Sequence, residues 1–248
     1  MSKKDILIEV CCGSVEGAFE AEKGGADRVE LNSSLFFGGL TPSIGAVIEA
    51  KKRLNIPVIV MIRPRGGGFC YTEIEFAAML EDARLAIEHG ADGLVFGILT
   101  EDGEIDQKRN AELVRITGDR EAVFHRAFDV VPDPFKAIDQ LVELGVKRIL
   151  TTGQQDRVDY GLDLLKRLND YSGGRITILP GSINKYNIRT ILEKTGCREI
   201  HMASFINKTD RSATHGQEIH YGASLYPPED SYRIIDRNAV AEINKILS

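Results

Sequence analysis

Residues Gly24–Leu31 read GGADRVEL, and three later stretches repeat the arrangement: His89–Phe96 (HGADGLVF), Leu144–Thr151 (LGVKRILT) and Thr195–Met202 (TGCREIHM). In each, a glycine stands where a helix would end, a short turn follows, and a strand-like run begins. Glycine takes the left-handed conformation that closes a helix at no steric cost, so each stretch predicts a helix leading into a strand. Working outward, the expected strands are Ile6–Cys11, Arg28–Asn32, Pro57–Arg63, Gly93–Ile98, Ala122–Arg126, Arg148–Thr152, Ile176–Pro180 and Glu199–Ser204. Helix-like segments such as Val15–Lys23, Ile74–Glu88, Pro134–Leu144 and Tyr160–Leu168 lie between them, and Tyr232–Leu247 reads as a final one. Strand followed by helix, repeated, implies parallel strands joined by right-handed crossovers. The four echoes lead into every second strand, as in a ring of repeated βαβα units. The predicted fold is α/β: a (β/α)8 TIM barrel forming a single domain over residues 1–248. An open doubly wound sheet is the alternative.

The bulk properties fit one sizeable domain. The chain has 248 residues, 43% hydrophobic and 27% charged, with a formal charge of −6; α/β barrels reach this length as single domains. An acidic chain without a long basic run is a poor nucleic-acid binder. The start, MSKKDILIEV, has no long apolar core and no stretch approaches 18 apolar residues, so neither a signal peptide nor a membrane span is expected. The cysteines (Cys11, Cys12, Cys70, Cys197) are few and scattered. In a leaderless chain that points to reduced thiols in the cytoplasm.

Strand parity gathers polar residues at one end of the barrel. Strands of a parallel barrel are apolar on both faces, so polar residues near their C-terminal ends need a reason. Alternation puts Glu9 and Cys11 on one face of the first strand and Val10 and Cys12 on the other. The same rule turns Glu30, Arg63, His125 and His201 inward, converging where barrel enzymes place their sites. Structural ion pairs plugging the barrel are one explanation. The other is a polar pocket: Glu9, Glu30, His125 and His201 for proton transfer or metal ligation, with Arg63, Arg65, Arg126, Asp129, Thr151, Gly181 and Ser204 around a small anionic ligand. The glycine-rich loops RPRGGGFCY (Arg63–Tyr71) and PGSINKYN (Pro180–Asn187) sit at the same end and suit close backbone approach to an anion. Lys147 precedes the sixth strand, at the wrong end for Schiff-base chemistry.

Two adjacent cysteines raise the question of a metal. Neighbouring strand residues face opposite sides, so Cys11 and Cys12 are poorly placed to share one ion. Cys12 is expected to pack under the helices, and Cys11 to face the pocket as a candidate soft ligand without an evident thiolate partner. Residues 206–231 form a long stretch after the eighth strand with little periodicity, compatible with a lid or with disorder; His215 and His220 within it are expected to be solvated.

The motifs IEVCCGSVEGAFEAEKGGADRVEL, GGLTPSIG, VMIRPRGGGFCYT, GADGLVFGILTEDGEID, VFHRAFD, RILTTG and ILPGSI resemble the CutC family of copper homeostasis proteins, in order from about Ile8 to Ser204. The resemblance implies a cytoplasmic (β/α)8 barrel, a homodimer or higher homo-oligomer, with a pocket at the C-terminal ends of the strands and a link to copper tolerance through Cu(I). It implies no established reaction. The family's E-V-C matches Glu9 to Cys11, its M-I-R-P-R-G-G matches Met61 to Gly67, its F-H-R-A-F-D matches Phe124 to Asp129, and its strand-eight histidine and following serine match His201 and Ser204. There are departures. Asn32 stands where many relatives have a second cysteine, Gly68 where an aspartate is common, and Ser182 where a glycine is common. Cu(I) favours sulfur ligands, so Asn32 weakens a two-thiolate site.

Three readings stay open at this stage. The barrel handles Cu(I) through Cys11. Or it is an enzyme of lyase, isomerase or hydrolase type acting on a small phosphorylated or carboxylated metabolite by acid–base chemistry, or with a divalent metal on Glu9, Glu30 and His201. Or it is a non-catalytic assembly or regulatory barrel. Fold alone does not choose.

Overall fold

The computed structural model describes residues 6–213, 219–221 and 226–248. Eight parallel strands form the barrel wall: β1 (Leu7–Cys12), β2 (Arg28–Leu31), β3 (Val58–Met61), β4 (Gly93–Phe96), β5 (Glu121–Phe124), β6 (Arg148–Thr151), β7 (Thr177–Pro180) and β8 (Glu199–Met202). Helices α1 (Val15–Lys23), α2 (Ile44–Arg53), α3 (Glu73–Glu88), α4 (Gln107–Thr117), α5 (Pro134–Leu144), α6 (Leu162–Ser172) and α7 (Ile188–Thr195) connect them, and α8 (Arg237–Leu247) completes the outer layer. The ladder runs from β7 through β6, β5, β4, β3, β2 and β1 to β8. The open-sheet alternative fails because the first strand pairs with the eighth, Glu9 opposite His201. The remaining gap between β7 and β8 carries one bridge, Ile183 with Met202, in which the Ile183 N–H donates to His201 O at 3.3 Å.

The repeated glycines do what their spacing predicts. Gly25, Gly90, Gly145 and Gly196, the second residue of each echo, have φ of +89°, +92°, +87° and +71°, where a Cβ would be strained. Helix starts are equally local. Ser14, Ser43, Asp106, Asp133 and Asp236 cap α1, α2, α4, α5 and α8 through their side chains, and Thr72 and Glu75 form a reciprocal capping box on α3.

The chain has two apolar compartments. The larger lies between strands and helices, where Ile8, Val10 and Cys12 of β1 meet Ala18 and Ala21 of α1. The smaller is inside the barrel and consists of Ile59, Met61, Val95 and Val123. It forms a thin apolar layer between two polar ones.

Two expectations require correction. Tyr232–Leu247 is not one helix: β10 (Ser231–Ile235) precedes α8 and pairs antiparallel with β9 (Phe205–Thr209), Ile234 opposite Ile206. The stretch 206–231 is therefore bounded by a two-stranded ribbon. The alternatives of lid and disorder fall in part on residues 214–218 and 222–225, including His215, which lie outside the described residues; His220, expected to be solvated, is half-buried. Among the described residues no helix is long and apolar enough to cross a membrane.

Candidate functional site

The N-terminal ends of the strands close the barrel with charge. Arg28 and Arg148, the first residues of β2 and β6, are buried inside it. Arg28 Nε donates to Glu9 Oε2 at 2.5 Å and its Nη2 to Glu199 Oε2 at 2.6 Å. Arg148 Nη1 donates to Glu121 Oε2 at 2.5 Å, and its Nη2 and Nε lie 3.8 and 3.7 Å from Glu9 and Glu199. Buried charges persist when paired in this way. Glu9 belongs to this plug and does not line the cavity above it. Burial alone would raise its pKa, but Arg28, then His201 and Arg148, outweigh it and hold the carboxyl well below the usual range.

Above the apolar layer a cavity of about 640 Å³ opens at the C-terminal ends of the strands, with Cys11, Glu30, Met61, Arg63, Phe69 and His125 on one part of its wall. Arg126, Asp129, Leu150, Gly181 and His201 complete it with the loop Ser182–Asn184. Cys11, Glu30 and His201 each present one donor atom, all within 4.8 Å of one another. His201 hands one nitrogen to the plug: Nδ1 is 2.8 Å from Glu9 Oε1, which leaves Nε2 for the cavity. Burial opposes charge on His201, yet Glu30, Cys11 and Glu9 together raise its pKa well above 6.5. Burial raises Glu30 as well and pushes the Cys11 thiol up to about 12. Asn32 Nδ2 donates to Glu30 Oε1 at 2.9 Å and to Cys11 Sγ at 3.5 Å, so Asn32 orients the two side chains beside it.

His125 sits just past β5 and caps the 3-10 turn Arg126–Val130. Its Nδ1 accepts from the Ala127 N–H at 3.1 Å, so the ring proton belongs to Nε2. Burial, then the Arg63 charge, lowers its pKa to about 3. Gly97 makes room for the ring: a Cβ there would lie 2.5 Å from Cε1 and Nδ1 of His125. Arg63 spends its side chain on glycine-rich backbone. Nη1 donates to Phe37 O at 2.8 Å and Gly39 O at 3.1 Å, and Nη2 to Gly67 O at 2.8 Å.

The other sequence candidates divide. Arg126 and Asp129 reach the cavity wall as a pair at 2.7 Å. The Asp129 carboxylate also accepts from Thr151 Oγ1, Thr152 N and Oγ1, and Gln154 N, so Thr151 holds Asp129 and does not itself line the cavity. Arg65 points away, paired with Glu75 of α3 at 2.5 Å. Ser204 lies in a smaller depression between β8 and α8. Cys12 is buried, with Sγ 3.4 Å from Val10 O, and Cys70 is exposed. Parity also selects Met61 and Leu150 for the cavity, which sequence reading passed over because apolar residues on a barrel strand raise no question. Arg28 and Arg148 went unremarked because each opens its strand at the opposite end.

The CutC family model matches residues 6–206. A Treponema denticola protein named family protein CutC is 48% identical over 245 residues, 98% of this chain and all of that one. The human protein named copper homeostasis protein cutC homolog is 45% identical over 241 residues, covering 97% of this chain and 88% of that protein. A crystal structure from Streptococcus agalactiae, titled as a copper homeostasis protein CutC, superposes with a TM-score of 0.76 at 40% identity, covering 79% of this chain and 98% of that one. Matching in sequence across nearly its whole length and in the barrel itself, this chain belongs to the CutC family.

Proposed function

We propose that the protein serves copper homeostasis by binding Cu(I) in the barrel cavity, with Cys11 Sγ and His201 Nε2 as ligands and Glu30 at their side. The observation that carries the reading is the convergence of three donor atoms within 4.8 Å on one cavity wall. Thiolate and imidazole suit Cu(I). The link from Glu9 to His201 is the familiar support of a metal-binding histidine by a carboxylate on its other nitrogen, which fixes tautomer and orientation. The names of the relatives favour copper. Asn32 fits as a support for two ligands and supplies no second thiolate. Binding displaces the Cys11 proton and the Nε2 proton of His201, since ligands coordinate deprotonated.

A second reading is favoured by the carboxylate in the cluster. One thiolate, one imidazole and one carboxylate also suit Zn(II) with a position left open. Competition of the reduced protein against a chromophoric Cu(I) chelator, with Zn(II) titrated in parallel, separates the two. Cu(I) binding at one equivalent, lost in Cys11→Ser and in His201→Asn but kept in Glu30→Gln, supports copper. Tight Zn(II) binding that requires Glu30, without competitive Cu(I) uptake, replaces it with the second reading. Retention of Cu(I) by Cys11→Ser refutes the site.

A further inference from the structure

The cavity holds a second set of polar groups that the metal cluster does not use. His125 is 4% exposed and Arg63 6%. His125 Nε2 and Arg63 Nε are both buried without a hydrogen-bond partner among the described residues. Arg63 also makes no ion pair among the described residues; the three carbonyls it holds satisfy N–H groups but do not neutralise its charge. The Tyr71 hydroxyl lies beside it, and the Arg63 charge favours the ionised phenol without itself being neutralised. Buried N–H groups and buried cations ordinarily have partners. The Phe69 ring stands between the two, 5.2 Å from the Arg63 guanidinium carbon and 5.0 Å from the His125 ring centroid.

We infer that this part of the wall is a binding site for a small monocarboxylate, whose oxygen accepts from the His125 Nε2–H beside the positive charge of Arg63. The site is separate in residues from the metal cluster and does not depend on it. The surroundings set the ligand class. Barrel phosphate sites use free backbone N–H groups of the last loops. Here the loop after β7 has committed three of its four amides: Gly181 N–H donates to Thr151 O at 2.9 Å, Ile183 N–H to His201 O at 3.3 Å and Asn184 N–H to Asn187 Oδ1 at 2.8 Å, which leaves Ser182 too few companions for a phosphate cradle. On this part of the wall one cation without a carboxylate partner and one fixed imidazole donor, flanked by Phe69, Met61 and Leu150, suit a single negative charge on a short carbon chain. His125 holds its proton on Nε2 as a donor across the neutral range because Nδ1 is engaged by the Ala127 amide.

The test is calorimetric titration of the reduced, chelator-treated protein with acetate, butyrate and pyruvate, and with inorganic phosphate in parallel. With no metal present, the outcome does not depend on the copper reading. At least one monocarboxylate should saturate a single site while phosphate does not. His125→Asn keeps a side-chain oxygen for the Ala127 N–H and removes the Nε2 donor. It should weaken binding about tenfold to a hundredfold, the loss of one hydrogen bond to a charged acceptor. In the unaltered protein, the His125 Nε2–H proton signal should move during the titration. Absence of carboxylate binding, saturation by phosphate alone, or unchanged affinity in His125→Asn with an unmoved Nε2–H signal would each overturn the assignment.

Discussion

Replacing Glu9 by glutamine removes one charge from the base of the barrel while keeping the side-chain volume. The carboxylate is buried, accepts from Arg28 Nε at 2.5 Å, lies 2.8 Å from His201 Nδ1 and sits 3.8 Å from Arg148 Nη2. Removing one partner of a buried ion pair costs about 3–5 kcal/mol because the other charge stays buried and uncompensated. Arg28 retains Glu199 at 2.6 Å, which places the expected loss for Glu9→Gln nearer about 3 kcal/mol. Adding Arg28→Met removes the cation that lost a counter-charge but leaves Glu199 to Arg148 alone at 3.7 Å, so the double variant reads how much of the plug Arg28 itself holds. Urea unfolding at neutral pH measures both variants through their midpoints, with slopes unchanged. The pH dependence has a definite sign. A carboxyl whose folded pKa is depressed contributes stability that is complete above its unfolded value, 4.5 here, and is lost as pH falls below it toward the folded value. The gap between the unaltered protein and Glu9→Gln should therefore be widest above pH 4.5 and narrow on acidification. A Glu9→Gln protein within about 1 kcal/mol of the parent would refute the description of Glu9 as the centre of a structural plug.

Three further outcomes follow from the same geometry. A disulfide reagent at pH 8 should modify Cys70 quickly and the other cysteines only after unfolding, because burial pushes Cys11 to about 12, Cys197 to about 11 and Cys12 well above its ordinary value; a second fast thiol in the native protein would contradict this. His125, lowered from 6.5 to about 3, should show neutral-imidazole nitrogen shifts at pH 5. Its contribution to stability, complete above pH 6.5, should decline as pH falls toward 3; an imidazolium signal at pH 5 would count against its burial. Asp129→Asn can keep an oxygen for Thr151 Oγ1, Thr152 N and Gln154 N, which all donate to Oδ1, but its N–H2 then faces Arg126 Nε and Thr152 Oγ1, which donate to Oδ2. It should cost about 2–3 kcal/mol in thermal unfolding, and a neutral effect would mean that these donors do not depend on it.

Much of the barrel was legible because its signals are local. Helix-ending glycines and alternating side chains need no knowledge of distant residues, and parity survives a boundary that shifts by one residue. The fifth strand starts at Glu121 rather than Ala122 and stops before His125, yet His125 still faces the cavity. Long-range pairing was not legible. Ser231–Ile235 merges in sequence with the periodic helix that follows, and becomes a strand only because Phe205–Thr209 offers it an edge. The plug depends on four strands bringing Glu9, Arg28, Arg148 and Glu199 together. The role of Arg63 was half visible: its place on the wall follows from parity, but its grip on Phe37, Gly39 and Gly67 depends on loop folds that glycine-rich sequence leaves open.

The single bridge between β7 and β8 makes the barrel a ring with a clasp. Its donor, Ile183, belongs to the cavity loop, and its acceptor is the carbonyl of His201, whose imidazole joins the cavity to the plug. Seven strand pairs hold a continuous ladder, so widening the mouth meets least resistance at this one contact. A guest gripping both Gly181–Asn184 and the His201 side would act as a cross-tie over the clasp. The amide of Ile183 then becomes a built-in gauge: its hydrogen exchange should slow on such occupancy, while amides in the centre of the ladder stay as they were.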